Sequence, residues 1–253
     1  MTFEELKNLL SFSEAASTEA RWILSENLSD SDTYKIIERR KKGEPLSKIL
    51  GHRGFWKGDF FVDKNVLDPR PDSETLIQAV LENFPDKNTP LRILDLGTGS
   101  GCLLISLLME YPKAVGIGVD ISAKAIKIAK KNAIKNGVKA DFILLDMASL
   151  SPHFGQFDIV ISNPPYIPTK DIDNLDKSVK EDDPLLALDG GKDGMDFYRI
   201  IAQKAPVSVI FLEIGLGQKK QVQKIFEKQN WRFLGTKRDY AGIIRVLIFK
   251  KNL

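Results

Sequence analysis

The sequence predicts an α/β protein: a mostly parallel sheet covered on both faces, closed by an antiparallel hairpin and preceded by a small helical unit. Three observations carry this. Five short, largely apolar segments at 91–96, 115–119, 141–145, 157–161 and 207–212 alternate with helical stretches, the pattern of buried parallel strands. Segments 231–235 and 243–249 follow each other with no helical stretch between them, so they pair as a hairpin at the sheet edge. Residues 1 to about 50 place apolar side chains three and four apart and stop at Gly43 and Pro45, which marks helices.

In that first unit the apolar positions are Leu6, Leu9 and Leu10, then Ala20, Ile23 and Leu24, then Tyr34, Ile36 and Ile37. The run Arg39-Arg40-Lys41-Lys42 reads as a solvated last turn that complements the helix dipole. The alternative is a patch for an acidic partner or RNA. Residues 51–68 change texture. Phe55-Trp56 and Phe60-Phe61-Val62 flank Lys57-Gly58-Asp59, which predicts a β-hairpin connecting two domains. The third part, 69–253, begins with Pro69-Arg70-Pro71, whose prolines hold an extended approach. Asp72 or Ser73 is then expected to cap a helix starting at about Glu74. Arg70 and Glu74 either border a pocket or are a solvent-facing arginine and a cap. In the helix at 123–136, Ala125, Ile126, Ala129 and Ala133 share one face, while Lys124, Lys127, Lys131 and Lys135 form the opposite, wet side.

A chain of 253 residues with 43% hydrophobic content supports one sizeable core and a smaller appendage. A net charge of +3 neither demands nor excludes a nucleic-acid partner. One cysteine, Cys102, and two histidines, His52 and His153, leave no disulfide and no metal site to expect. Glu4, Glu5, Glu14 and Glu19 break up the first residues, so no signal peptide is visible. The apolar run 102–109 falls well short of the roughly 20 residues of a membrane span. A soluble, cytoplasmic protein is expected.

Two stretches carry chemistry. Gly97-Thr98-Gly99-Ser100-Gly101 follows the first strand and opens a helix. Its glycines permit positive φ and let backbone amides approach a ligand. The spacing G-x-G-x-G differs from the dinucleotide fingerprint, which argues against a seated pyrophosphate. Asp120 ends the second strand, where a carboxylate takes both hydroxyls of a ribose, unless it only caps the next helix, a role Ser122 can fill. A nucleoside site without a diphosphate suits S-adenosyl-L-methionine. Asp146 and Met147, after the third strand, either touch its adenine or form a plain polar turn. One strand further over, Ser162-Asn163-Pro164-Pro165-Tyr166 is a stiff turn whose carbonyls are free to accept. Asn163 donates and accepts, and Tyr166 adds a flat ring. Acceptors beside an aromatic plate suit a planar group with N–H donors.

In these residues the chain resembles the bacterial release factor glutamine methyltransferases of the class I S-adenosylmethionine-dependent fold. The likeness spans nearly the whole chain. It rests on Gly43-Glu44-Pro45-Leu46, Ile49-Leu50-Gly51, Pro69-Arg70-Pro71-Asp72-Ser73-Glu74, the glycine loop and Asn163-Pro164-Pro165-Tyr166-Ile167. It continues in Pro184-Leu185-Leu186-Ala187-Leu188, Gly190-Gly191-Lys192-Asp193-Gly194, Glu213-Ile214-Gly215 and Asp239-Tyr240-Ala241-Gly242 with Arg245. Asn-Pro-Pro-Tyr is shared with amino methyltransferases acting on adenine; the Pro-Arg-Pro and Gly-Gly-x-Asp-Gly segments narrow the choice. Met147 stands where the family often has an aromatic residue, and Lys48 where it often has tyrosine. The resemblance implies a helical domain that helps recognise a release factor, a hairpin connector and a catalytic domain that methylates the glutamine of a Gly-Gly-Gln loop. It implies that residues 97–101, Asp120 and Asn163 bind the cofactor, and that 163–166 hold the glutamine. The chain is expected to act as a monomer that needs neither nucleic acid nor membrane. The alternatives are an amino methyltransferase acting on adenine or guanine in nucleic acid, and a non-catalytic binding module of the same fold.

Overall fold

In the computed structural model, which describes residues 1–151 and 154–252, the first unit is four helices: α1 (Phe3–Leu9), α2 (Ala16–Ser25), α3 (Asp30–Lys41) and α4 (Leu46–Leu50). His153 lies outside the described residues. Leu6, Leu10, Ala20, Ile23, Ile36, Ile37 and Leu46 close a separate small core. Tyr34 does not join it, being 53% exposed, because it sits one residue off the buried stripe of Thr33, Ile36 and Ile37. The basic run is largely answered within the unit: Arg39 pairs with Glu44, Arg40 with Glu19 and Lys41 with Glu38. Those partners disfavour a docking patch. α4 follows the Gly43–Pro45 break, a helical turn that the stop signals alone did not announce.

The connector is the antiparallel pair β1 (His52–Phe55) and β2 (Gly58–Phe61). It turns at Trp56-Lys57, with Trp56 at φ 54°, one residue earlier than the aromatic pattern suggests. A 3-10 turn, Pro71–Ser73, leads into α5 (Glu74–Asn83). Neither predicted cap operates. Ser73 makes no capping bond, and Asp72 pairs with Arg245.

The remaining elements are β3 (Arg92–Leu96), α6 (Cys102–Glu110), β4 (Val115–Asp120), α7 (Ala123–Lys135), β5 (Asp141–Leu144), β6 (Phe157–Ser162), α8 (Lys177–Asp182), α9 (Asp196–Lys204), β7 (Val207–Glu213), α10 (Lys219–Glu227), β8 (Trp231–Arg238) and β9 (Ile244–Lys251). They build a seven-stranded sheet ordered β5-β4-β3-β6-β7-β9-β8. The first five strands are parallel; β9 runs antiparallel to β7 and β8 to β9. Neighbouring residues face opposite ways along a strand. Ile93, Ile159 and Phe211 therefore enter one core and Leu94, Val160 and Leu212 the other, which is why these strands read as unbroken apolar runs. β5 is the exception. As an edge strand it buries Phe142 but exposes Ile143 and Leu144.

α7 is more than an amphipathic cover. Asn132 accepts from Phe61 N at 2.7 Å and donates to the carbonyls of Phe61 (3.1 Å) and Ser100 (2.8 Å). Asn136 does the same for Asp59, accepting from its N at 3.1 Å and donating to its O at 3.0 Å. Four residues of helix rise about 6 Å and two residues of strand about 6.6 Å. Two amides at i and i+4 therefore serve the free edge of β2 as a partner strand would. The lysine face takes part too: Lys131 and Lys135 stand 3.4 and 4.1 Å over the Phe61 ring, and Lys135 pairs with Asp59. Replacing Asn132 by alanine leaves the Phe61 backbone groups and the Ser100 carbonyl without these partners. The expected loss is about 2–4 kcal/mol of stability in urea unfolding.

No helix among the described residues is long and apolar enough to cross a membrane.

Candidate active site

The carboxyl ends of the parallel strands meet at two adjoining cavities, as open α/β sheets arrange their ligand sites. The larger, about 320 Å³, is lined by Gly97 to Ser100, Asp120, Asp146, Met147, Asn163 and Pro165 among others. The second, about 290 Å³, is lined by Arg70, Asp72, Asn163, Tyr166, Glu213 and Arg245 among others. Leu67, Arg70, Asn163 and Ala187 line both, so the two spaces abut along these four residues, Asn163 among them.

The glycine loop has the shape its sequence requires. Gly97, Gly99 and Gly101 have φ of 74°, 54° and 81°, a left-handed region open to glycine at little cost. Asp120 answers two amides at once, Oδ2 accepting from Gly99 N at 2.9 Å and Oδ1 from Ser122 N at 2.8 Å. Ser122 caps α7 through Ala125 N, leaving Asp120 for the loop and the cavity. Burial raises the Asp120 carboxyl above the ordinary range, while the amides of Ser122, Gly99 and Ile121 oppose the shift. Asp95 is buried at the end of β3, accepts from the Thr98 hydroxyl at 2.7 Å and is pushed up by burial to about 7. Asp146 caps a 3-10 turn through Ala148 N. Met147 is buried in the core and still lines the cavity. This donor set fits an adenosyl ligand. Each Asp120 oxygen keeps a lone pair for a ribose hydroxyl, and Met147 offers an apolar wall.

The Asn163–Tyr166 turn is held from three sides. Ser162 Oγ donates to Leu96 O at 2.6 Å, tying the end of β6 to β3. Ile167 N donates to Leu188 O and Gly190 N to Ile167 O, at 3.0 and 2.8 Å. Gln218 Nε2 donates to Tyr166 O at 2.8 Å while Gln218 Oε1 accepts from Gly215 N at 2.9 Å. Burial pushes the Tyr166 phenol up to about 12. Pro164 is itself buried and is not among the lining residues of either cavity.

The Gly-Gly-x-Asp-Gly segment is a buttress for this turn. A Cβ on Gly194, whose φ is 74°, would stand 2.4 Å from Tyr166 O, and one on Gly190 2.8 Å from Pro165 O. Gly194→Ala must therefore displace the Tyr166 backbone. It is expected to lower turnover at least about tenfold, as a displacement of order 1 Å in a positioned group does. Cofactor affinity, read by calorimetry, should be unchanged.

Arg70 reaches the second cavity and pairs with Asp183 at 2.7 Å. Glu74 does not line either cavity; its carboxylate accepts from Trp56 N at 2.7 Å and fastens the hairpin. A helix N-terminus beside a hairpin turn offers that amide a nearer partner than the cavity does. Four lining or supporting residues escaped the sequence reading of the site: Ser73, Glu213, Gln218 and Arg245. For Glu213 the available signals were its place at the carboxyl end of an apolar segment and its membership of the Glu213-Ile214-Gly215 stretch on which the resemblance rests.

The chain is similar to known methyltransferases. A family model described as the methyltransferase small domain matches residues 70–187. A release factor glutamine methyltransferase of Rhodospirillum rubrum is 44% identical over 227 residues, 86% of this chain and 68% of that protein. One of Agrobacterium fabrum is 42% identical over 224 residues, 85% of this chain and 78% of that protein. Among solved structures, the hMettl16 catalytic domain in complex with a 3'UTR hairpin superposes with a TM-score of 0.62 at 13% identity, over 96% of this chain and 84% of that one. Magnesium protoporphyrin IX methyltransferase from Synechocystis with bound SAM gives 0.50 at 21% identity, over 71% and 79%. These two share the fold. The sequence relatives decide the family: the chain belongs to the release factor glutamine methyltransferases.

Proposed function

We infer that the protein transfers a methyl group from S-adenosyl-L-methionine to the side-chain amide nitrogen of a glutamine in a peptide chain release factor, in a Gly-Gly-Gln loop. The observation that carries this reading is Asn163 lining both a nucleoside-sized cavity and a second one walled by Tyr166. One side is suited to the donor and the other to a planar amide.

The bound cofactor supplies a sulfonium methyl that is already activated. What remains for the protein is positioning. An amide nitrogen is a poor nucleophile because its lone pair is delocalised into the carbonyl. Asn163 Oδ1 accepts one N–H of the substrate amide, fixing its orientation and favouring the positive charge that develops on nitrogen. The acceptor expected from the sequence for the second N–H is the Pro164 carbonyl, although Pro164 lines neither cavity. Tyr166 covers the amide face. Asp120 takes the ribose hydroxyls, residues 97–100 form the floor, and Met147 lies against the adenine. Gly101, also expected to bind the cofactor, lines neither cavity and instead packs against Ile105 and Ala129 as the cap of α6. Residues 1–50 act as the recognition domain for the release factor, 51–68 as the connector and 69–253 as the catalytic domain. The protein works as a cytoplasmic monomer without a nucleic-acid partner, in keeping with its small net charge of +3.

The test is to incubate the full chain with labelled S-adenosyl-L-methionine and, separately, release factor, DNA and RNA. Label on the release factor, lost when its Gly-Gly-Gln glutamine is replaced, is the expected result. Label on DNA or RNA alone would mean that a base lies against Tyr166. No label on any of the three would point to a binding module.

A further inference from the structure

Behind Asn163, on the side of the second cavity, stands a buried carboxylate to which the reaction as described assigns no part. Glu213 ends β7, where Leu212 is in register with Ser162 of β6. It is 3% exposed, yet it lines the cavity with Asn163 and Tyr166. Its Oε2 is buried and takes no hydrogen bond among the described residues. The Ser73 hydroxyl, also 3% exposed, and the Asn163 side chain both act to lower the pKa of this carboxyl. Asn163 Nδ2 in turn donates to Ser73 Oγ at 3.3 Å.

The chemistry of these three groups is directional. An ionised carboxylate only accepts, a hydroxyl accepts one bond and donates another, and an amide has one accepting and one donating end. The Asn163 Nδ2–Ser73 Oγ bond leaves the Ser73 hydroxyl hydrogen available to the unpartnered Glu213 oxygen, and a relay completed in that way keeps the donor end of Asn163 turned toward Ser73 and Glu213. The accepting end, Oδ1, is then the one left for an incoming N–H. We propose that Glu213 is a positioning residue for methyl transfer: through Ser73 it sets which end of the Asn163 amide faces the acceptor nitrogen. This rests on the substrate reading above and deepens it.

Protonation would undo the arrangement. A protonated Glu213 carries a donor, and a donor there can pair with Asn163 Oδ1 and turn the amide round. Burial pushes the Glu213 carboxyl up to about 7, with Ser73, Arg245 and Asn163 opposing the shift and Asp72 adding to it. The charged and titratable groups around it are Asp72 in the Pro71–Ser73 turn, Cys102 on α6, Tyr166, Tyr198 on α9 and Arg245 on β9. Arg245 is shared with Asp72 at 2.6 Å and Asp239 at 2.9 Å, so it is not committed to Glu213. The ionised, working form is populated above about pH 7 and lost below it.

Glu213→Gln mimics the protonated acid at the same volume. The full chain and this variant are compared in methylation of a Gly-Gly-Gln protein between pH 6 and 8, and by NMR of the Asn163 side-chain amide, assigned by its absence in Asn163→Ala. In the wild type, kcat is expected to rise through about pH 7 and the Asn163 resonances to titrate with the same midpoint. In Glu213→Gln, kcat at pH 8 should fall about ten- to a hundredfold, with no acid limb and no titration of Asn163. Cofactor affinity should stay within about twofold and the unfolding midpoint should not fall, since a buried charge has been removed. A wild-type rate and acid limb in Glu213→Gln, or Asn163 resonances indifferent to both pH and the variant, would overturn the proposal. If no Gly-Gly-Gln protein is methylated by the wild type, the substrate reading fails, and the NMR titration still decides the role of Glu213.

Discussion

Asn163→Ala should abolish measurable methylation of the release factor, with kcat lowered by about 10²–10³ or more. This is the usual size of the loss when one preorganised polar contact to the reacting group is removed. The geometry predicts where the loss falls. Asn163 lines both cavities, but the residues that floor the larger one, Gly97 to Ser100, and its acid Asp120 are held by bonds that do not pass through Asn163. Cofactor affinity measured by calorimetry should therefore change only a few-fold while turnover collapses. Turnover near the wild-type value would mean that another group accepts from the substrate amide. A parallel loss of cofactor affinity would make Asn163 a cofactor contact as well.

Asp120→Ala is expected to weaken cofactor binding by about ten- to a hundredfold, since hydrogen bonds to a charged partner contribute about 1.5–3 kcal/mol. Two losses combine. The ribose hydroxyls lose their acceptor, and the amides of Gly99 and Ser122, now held at 2.9 and 2.8 Å, are released, so the loop relaxes. Asp120→Asn separates these effects. An amide side chain has a single oxygen to offer the two backbone donors, so it should fall between the wild type and alanine. Unchanged affinity in Asp120→Ala would move the ribose anchor elsewhere.

Both residues could be picked from the sequence for one reason: each follows directly on an apolar strand, and the ends of parallel strands converge in this fold. The succession of strands along the chain, the glycine loop and the Asn163–Tyr166 turn depend on features that short segments carry alone, such as alternation of helix and strand, glycine at positive φ and proline-fixed φ. The roles of Ser73 and Glu74 were legible only in part. Ser73 looks like a cap and is in fact a partner of Asn163, 90 residues away, across a bond of 3.3 Å. Glu74 looks like a pocket residue and instead holds the hairpin through Trp56 N. Asn132 and Asn136 were hidden differently. The helix around them is periodic enough to be read as a simple cover, and nothing local says that their amides meet the edge of β2.

The sequence by itself determined most of the elements, their succession along the chain, the class of the sheet and the two loops at its carboxyl end, because propensity and periodicity act over a few residues. Tertiary structure alone decided that the two cavities share Asn163, that residues 190–194 brace the turn, and that Glu213 stands behind it. Those facts depend on contacts between distant segments and on burial, which turns an ordinary glutamate into one titrating at about 7. A short stretch of sequence shows which side chains are available, and the packed fold selects the partner that each one meets.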